Sequence, residues 1–156
     1  MFFFKKDKGE KIYSPIKGEV KPITETPDQV FSQKIMGDGC CFELADGLVV
    51  SPIEGEVTTI FETKHAIGLT TKKGTELIIH VGMDTVSLGG EGFTALAKPG
   101  DKVKVGDPLL QVDIPKIQAK VPSMVTPLAI TNLGDKKLVL EKTGTVERGD
   151  HILTIN

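Results

Sequence analysis

Residues 61–85 have the sequence Phe61-Glu-Thr-Lys-His65-Ala-Ile-Gly-Leu-Thr-Thr-Lys-Lys-Gly-Thr-Glu-Leu-Ile-Ile-His80-Val-Gly-Met-Asp-Thr85. Apolar segments at residues 66–70 and 76–79 have the composition of strands, and a polar turn with a glycine separates them. A hairpin centred between Lys72 and Lys73 places His65 directly opposite His80, with both side chains on one face. A pairing shifted by one residue would turn one ring away. The stretch therefore predicts an antiparallel hairpin that carries a histidine pair.

Two adjacent imidazoles have three interpretations: a metal site, a nucleophile with a helper, or two unrelated core histidines. Zinc sites use three or four ligands. The one remaining histidine is His151, in the C-terminal tail, and no paired cysteines lie near the hairpin in the sequence. We therefore expect no metal, and the spacing alone leaves the other two interpretations open.

The residues around His80 favour a nucleophile. Gly82 allows the backbone to approach the ring, and its carbonyl can accept a hydrogen bond from one ring nitrogen, which leaves a lone pair on the other. The apolar run before His80 disfavours the charged imidazolium. Such a ring suits phosphoryl transfer, which depends on positioning and charge stabilisation. We expect His65 to contact the phosphoryl oxygens and Thr63 to orient one of the two rings.

Several sequence blocks resemble a known family: Val30-Phe-Ser-Gln-Lys-Ile-Met-Gly-Asp-Gly39, Phe61-Glu-Thr-Lys-His-Ala66, His80-Val-Gly-Met-Asp-Thr85 and Gly90-Glu-Gly-Phe93. They are similar to the signature blocks of glucose-family EIIA proteins of the bacterial phosphoenolpyruvate-dependent sugar phosphotransferase system. The resemblance implies a compact antiparallel β-sandwich in which His80 carries a phosphoryl group and His65 assists. It implies HPr as the donor, the EIIB domain of a glucose-type sugar permease as the acceptor, and no cofactor.

Length and composition indicate one ordinary globular domain. The chain has 156 residues, with 19 basic and 21 acidic side chains. No basic stripe is present, so nucleic acid is not an expected partner. The 17 glycines and 9 prolines are dispersed, which suits many short strands and tight turns. We expect a flexible segment at residues 1–13 followed by a single phosphocarrier domain at residues 14–156.

The N-terminal sequence and the cysteines indicate a cytoplasmic protein. Met1-Phe-Phe-Phe-Lys-Lys6 is too short for a signal peptide and carries its charge after the apolar run. We expect it to be a frayed or locally docked terminus rather than a membrane or partner contact, and the only membrane contact expected is peripheral, through the permease. Cys40 and Cys41 are adjacent, a spacing that disfavours a disulfide, so we interpret them as small strand residues in a reducing compartment. The resembled family has apolar residues there.

The remaining sequence predicts an all-β fold with a duplicated motif. Ser51-Pro-Ile-Glu-Gly-Glu-Val57 nearly repeats residues 14–20, and residues 98–110 and 146–153 also resemble each other. Asp46-Gly47 predicts a two-residue hairpin between strands at 40–44 and 48–50. Pro27-Asp28 predicts the start of a short helical turn, and residues 113–120 predict one or two more turns. The expected architecture is a compact antiparallel sandwich or barrel with one or two very short helices.

We also expect a docking face for protein partners around the histidines. Apolar side chains in an irregular loop are either core residues or an interaction patch. The resemblance favours a patch, with carboxylates at its rim that steer basic partner surfaces. The expected apolar members are Val30, Phe31, Ile35, Met36 and Phe61, and the expected rim residues are Asp38 and Asp84.

Three other functions are compatible with parts of the sequence. Paired Pro-x-x-Gly-Glu-Val and Val-Gly-Asp-Pro-Leu-Leu motifs are similar to those of lipoyl and biotinyl carrier domains, with Lys116 as the candidate modified lysine. His80-Val-Gly-Met-Asp84 resembles an element of a zinc peptidase family of similar β-fold, but the partner His-x-His element is missing. A regulatory role toward transporters or enzymes is compatible with phosphoryl transfer, because a phosphoryl group adds about −1.5 to −2 charge to a docking face.

Overall fold

The structure, a computed structural model, describes residues 9–156 and is built mainly from short antiparallel strands. The strands are β1 Glu10–Tyr13, β2 Gly18–Pro22, β3 Asp38–Leu44, β4 Leu48–Val50, β5 Gly55–Ile60, β6 Ala66–Thr71, β7 Glu76–His80, β8 Phe93–Ala95, β9 Lys102–Val103, β10 Pro108–Val112, β11 Thr126–Ile130, β12 Leu138–Leu140, β13 Gly144–Val146 and β14 His151–Ile155. Two α-helices, α1 Gln29–Ser32 and α2 Ile114–Ile117, are accompanied by 3₁₀ helices at Ile23–Glu25, Thr85–Leu88 and Gln118–Lys120. The predicted all-β class with very short helices is confirmed.

The described strands form three sheets, none of which closes into a barrel. The largest has eight strands in the order β13-β2-β3-β11-β7-β6-β5-β9, and two three-stranded sheets have the orders β1-β14-β12 and β4-β10-β8. The hairpin β6–β7 lies inside the large sheet, where β11 pairs with β7 and β5 pairs with β6. His80 therefore ends an interior strand of this sheet, and His65 directly precedes the neighbouring strand.

The predicted duplication is visible in equivalent hydrogen bonds of the two repeats. Ser14 Oγ donates to the carbonyl oxygen of the residue two positions ahead, Ser51 Oγ does the same, and both distances are 2.7 Å. The Ser14 carbonyl accepts from the backbone N–H of Gly149, and the Ser51 carbonyl accepts from that of Gly106, both at 2.9 Å. Each opening motif is thus closed by its own later Gly-Asp turn.

Apolar side chains of the sheets form a main core and a smaller cluster on the outer face of the large sheet. Strand β7 contributes side chains to both clusters, because successive strand residues point to opposite faces of the sheet. Leu77 and Ile79 belong to the main core, whereas Ile78 packs against the smaller cluster of Ile23, Phe31 and Ala129. His80 continues the outer face, so its ring lies beside the helix that carries Phe31.

The predicted hairpin forms, but its register is shifted by one residue. Ala66, not His65, is the residue opposite His80. The loop contains Lys72, Lys73 and Gly74, with Gly74 at φ +88°, and the backbone N–H of Thr71 donates to the Thr75 carbonyl at 2.9 Å. A three-residue loop with glycine in the left-handed region is a common hairpin connection. The turn is therefore centred on Lys73, and the prediction of directly opposed histidines is wrong.

The predicted Asp46-Gly47 hairpin is also wrong, because β3 and β4 belong to different sheets. The Asp46 carboxylate instead accepts from the Leu48 N–H at 3.3 Å and from the Arg148 guanidinium at 2.7 and 3.1 Å. A Cβ on Gly47 would lie 1.8 Å from the Val112 carbonyl oxygen. The Asp-Gly pair thus marks a close crossing between sheets.

The N-terminal boundary also differs from the prediction. Residues 10–13, expected to be flexible, form β1, which pairs with β14 and contains the fully buried Ile12. The predicted fraying of Met1-Phe-Phe-Phe-Lys-Lys6 lies outside the described residues.

The short helices begin where the sequence predicts, and the cysteines are strand residues. Asp28 caps α1 by accepting from the Val30 N–H at 2.7 Å, and Asp113 caps α2 in the same manner. Cys40 and Cys41 are consecutive in β3, free and buried. Burial raises the pKa of both thiols, which favours their neutral form.

Candidate functional site

His65 and His80 meet at the end of the β6–β7 hairpin. Their ring centroids lie 4.9 Å apart with an interplanar angle of 79°, an edge-to-face contact. His80 is the last residue of β7, whereas His65 precedes the first residue of β6 and follows Lys64, which has φ +60°. Because His65 lies at the exit of a turn rather than inside the strand, its ring reaches the neighbouring ring despite the shifted register. His65 is 3% exposed, and His80 is half-buried.

Different hydrogen-bond partners hold the two rings. His80 Nδ1 lies 2.8 Å from the Gly82 carbonyl oxygen. A carbonyl only accepts, so His80 Nδ1 carries the proton and, in the neutral ring, Nε2 carries the lone pair. His65 Nδ1 lies 2.6 Å from Thr63 Oγ1, a hydroxyl that is able to donate to it. The structure thus brings together the four residues that the sequence singled out as chemical: Thr63, His65, His80 and Gly82.

Burial keeps both imidazoles neutral near neutral pH. Desolvation, assisted by the neighbouring His80, lowers the pKa of His65 from 6.5 to about 4. Desolvation also lowers the pKa of His80, although the hydrogen bond to the Gly82 carbonyl and the charge of Asp28 both oppose that shift. A neutral His80 with a free Nε2 is a competent nucleophile, since the lone pair is not occupied by a proton.

The apolar surroundings are partly exposed and partly core. Val30, Met36 and Phe61 are each about two-fifths exposed, and Ile35 is 69% exposed. Phe31 is only 4% exposed and belongs to the smaller core cluster, so its predicted place in an exposed patch is wrong. Its ring packs on His80 with centroids 5.3 Å apart, while the Phe61 ring contacts His65 at 5.5 Å. The buried Phe31 ring therefore supports the His80 ring by packing against it.

Of the two predicted rim carboxylates, Asp84 is exposed and lies just before the 3₁₀ helix Thr85–Leu88. Asp38 lies in β3, where its carboxylate accepts from the Gly39 N–H at 2.8 Å and pairs with Lys34 at 3.5 Å. Asp28, expected from the sequence only to start a helix, is the carboxylate whose charge acts on His80. Its helix-capping position close to a predicted site residue is the signal that would have found it.

Sequence reasoning also missed Val86, which is 54% exposed. It lies in the 3₁₀ helix Thr85–Leu88, and its position two residues after the predicted rim residue Asp84 was the available signal.

Within residues 9–156, no three His, Cys, Asp or Glu side chains form a group that would hold a metal ion. The paired imidazoles alone fall short of the three or four protein ligands usual for zinc. In the same part of the chain, every helix is too short or too polar to cross a bilayer. Lys116, the lysine considered for a swinging-arm carrier, is an exposed residue of α2.

An open antiparallel β-fold that presents a neutral histidine with one free ring nitrogen fits the class of histidine phosphocarriers. The family model described as "phosphoenolpyruvate-dependent sugar phosphotransferase system, EIIA 1" matches residues 10–136. The chain belongs to this family, and it is an EIIA-type phosphotransferase component of the sugar phosphotransferase system.

A relative and a solved structure agree with this assignment. The chain is 51% identical over 144 residues to the glucose-specific EIICBA component of Staphylococcus saprophyticus; the match covers 92% of the chain. The chain spans only 21% of the length of that curated relative. It is also similar to the solved glucose permease IIA from Mycoplasma capricolum, with a TM-score of 0.91, 38% identity and 98% of each chain covered.

Proposed function

We propose that residues 10–156 act as a phosphoryl carrier in which His80 Nε2 accepts a phosphoryl group from phospho-HPr. The observation that carries the proposal is the 2.8 Å hydrogen bond from His80 Nδ1 to the Gly82 carbonyl, which directs the free lone pair to Nε2. In the transfer step, the Nε2 lone pair forms a bond to phosphorus while the bond from phosphorus to the donor breaks, and the donor keeps that electron pair. The His80 proton stays on Nδ1 throughout.

His65 has the complementary role of donor to the phosphoryl oxygens. If Thr63 Oγ1 donates to His65 Nδ1, the ring proton of a neutral His65 is on Nε2. An N–H group next to the reaction centre stabilises the negative charge on the transferred group. The low pKa of His65 supports this assignment, because the ring stays neutral and keeps one donor nitrogen and one acceptor nitrogen.

We propose the EIIB domain of a glucose-type sugar permease as the acceptor. The similarity to the glucose-specific EIICBA component of Staphylococcus supports this partner. Both partners would dock on the face formed by Val30, Ile35, Met36, Phe61 and Val86, where exposed apolar side chains provide contact area. Asp28, Asp38 and Asp84 would steer basic partner surfaces. Phosphorylation adds charge to this face, so binding of regulated transporters or enzymes there would depend on the phosphorylation state.

The free, buried cysteines support a reducing, cytoplasmic location, with the membrane approached only through the permease. No metal or nucleotide is required for the proposed step.

The decisive experiment is incubation of the protein with phosphoenolpyruvate, Enzyme I and HPr, followed by intact-mass measurement. We expect one acid-labile, alkali-stable phosphoryl adduct on the unmodified protein and none on His80→Gln. His65→Gln keeps a hydrogen-bond donor and the nucleophile, so it should still be labelled but transfer onward roughly 10²–10³ times more slowly.

His151→Gln is the matched control, because it removes an imidazole that lies in β14, outside the pair. It should be labelled like the unmodified protein. Labelling of His80→Gln but not of His65→Gln would reverse the two roles, and normal labelling of both would make the pair structural.

A further inference from the structure

The Gly82 carbonyl is positioned by two consecutive peptide units. Each unit is hydrogen-bonded through both its C=O and its N–H. In the peptide that joins Val81 to Gly82, the carbonyl oxygen accepts from Thr85 Oγ1 at 2.6 Å, and the N–H donates to Thr126 Oγ1 at 3.4 Å. In the next peptide, the Gly82 oxygen accepts from His80 Nδ1, and the Met83 N–H donates to the Ser123 carbonyl at 2.9 Å. Because each peptide unit is planar, fixing its N–H also fixes its C=O.

The two threonines are buried and have their own partners. Thr85 and Thr126 are fully buried, and Thr126 Oγ1 donates onward to the Met124 carbonyl at 3.0 Å. Gly82 itself has φ +73°, a left-handed conformation that glycine adopts freely, so the chain turns sharply between the two peptide units. Thr85, which donates to the Val81 carbonyl, and Thr126, which accepts from the Gly82 N–H, hold the peptide on the N-terminal side of this turn.

We propose that Thr85, assisted by Thr126, is a positioning residue that aims the Gly82 carbonyl at His80 Nδ1 and thereby keeps Nε2 as the unprotonated ring nitrogen. The effect of Thr85 on phosphoryl transfer rests on the proposed function. Its effect on the His80 tautomer does not, because the tautomer is a property of the unphosphorylated protein. Thr85 has the larger part, because its hydrogen bond is short, whereas the bond to Thr126 is long.

The test is ¹⁵N NMR of the imidazoles in the full chain, which separates the Nδ1–H and Nε2–H tautomers of His80 without any phosphoryl donor. We expect Nδ1–H to dominate in the unmodified protein. Thr85→Val has a similar shape but lacks the hydroxyl, so it leaves a buried carbonyl unpaired and should lower the Nδ1–H to Nε2–H ratio roughly tenfold. Thr126→Val should lower it less, and Thr85→Ser should restore it.

Thr154→Val is the matched control, since Thr154 is a buried threonine of β14 outside this network. An unchanged His80 tautomer in Thr85→Val, or an equal change in Thr154→Val, would overturn the proposal. If Thr85→Val does not fold, Thr126→Val and Thr85→Ser carry the same comparison, and an unchanged ratio in Thr126→Val then overturns it.

Labelling by phospho-HPr gives a second measurement, and its rate should fall with the tautomer ratio. A changed tautomer with an unchanged labelling rate would overturn the link to transfer. Failure of the unmodified protein to be labelled would instead contradict the proposed function and leave the tautomer result standing.

Discussion

The low pKa of His65 predicts that folding stability depends on this one side chain in mildly acidic solution. The ring is 3% exposed, and its pKa falls from 6.5 to about 4 on folding. Between these values the unfolded chain binds a proton at His65 that the folded protein does not bind, so stability falls as the pH falls through that window. Going from about pH 7 to about pH 4.5 should cost the folded state roughly 2 kcal/mol through this residue alone.

His65→Gln removes the titrating group, so the variant should lose roughly 2 kcal/mol less stability than the unmodified protein over that pH interval. Urea unfolding of both proteins at the two pH values measures the difference, and any fixed cost of the substitution cancels. NMR titration of the His65 ring in His80→Gln is the control: burial, the larger cause, remains, so the pKa should stay below 6.5. Equal pH dependence of stability in the two proteins would refute the argument.

Three further substitutions test the support of the site. Phe31→Ala should cost about 3–5 kcal/mol in urea unfolding because Phe31 is core, and a loss below about 1 kcal/mol would contradict its burial. Asp28→Asn keeps a helix cap but removes a charge that raises the pKa of His80; NMR titration should therefore show a lower His80 pKa, and an unchanged value would exclude the interaction. Gly82→Ala should destabilise the protein more than Gly74→Ala: both residues have positive φ, but only at Gly82 would the new Cβ meet a neighbouring threonine methyl, at 2.7 Å. Equal losses in thermal unfolding would show that the contact relaxes freely.

Local patterns predicted the elements that surround the site, whereas side-chain hydrogen bonds decided the register. The apolar segments on either side of the turn and the Asp28 cap are short-range signals, and both appear where the sequence places them. The register differs because Thr71 Oγ1 accepts from the N–H groups of Lys73 and Thr75, at 3.2 and 3.1 Å. These bonds stabilise a loop one residue longer than the simplest hairpin turn, a choice that hydrophobic periodicity does not encode.

Long-range partners explain the other differences. Asp46-Gly47 has the composition of a hairpin turn, but Arg148, 102 positions away in the chain, binds the Asp46 carboxylate while the backbone passes between sheets. The burial of Phe31 is not predictable from the local sequence. Its neighbour Val30 is exposed, and only the packing of Ile23 and Ala129 against Phe31 shows which of the two residues belongs to the core. Apolar residues in an irregular loop carry no periodicity that would separate them.

The asymmetry of the histidine pair follows from what each Nδ1 contacts. A carbonyl oxygen accepts but never donates, so Gly82 fixes the proton on His80 Nδ1 and leaves Nε2 with a lone pair. A hydroxyl is able to donate, so Thr63 permits the opposite tautomer at His65, in which Nε2 carries the proton. With these tautomers, two neutral rings in edge-to-face contact offer the nucleophile and the hydrogen-bond donor that the proposed transfer needs, with no net charge buried between them. Because each partner lies within two residues of its histidine, the short segments Thr63-Lys-His65 and His80-Val-Gly82 specify the proposed division of roles locally, and the hairpin has only to bring the rings together.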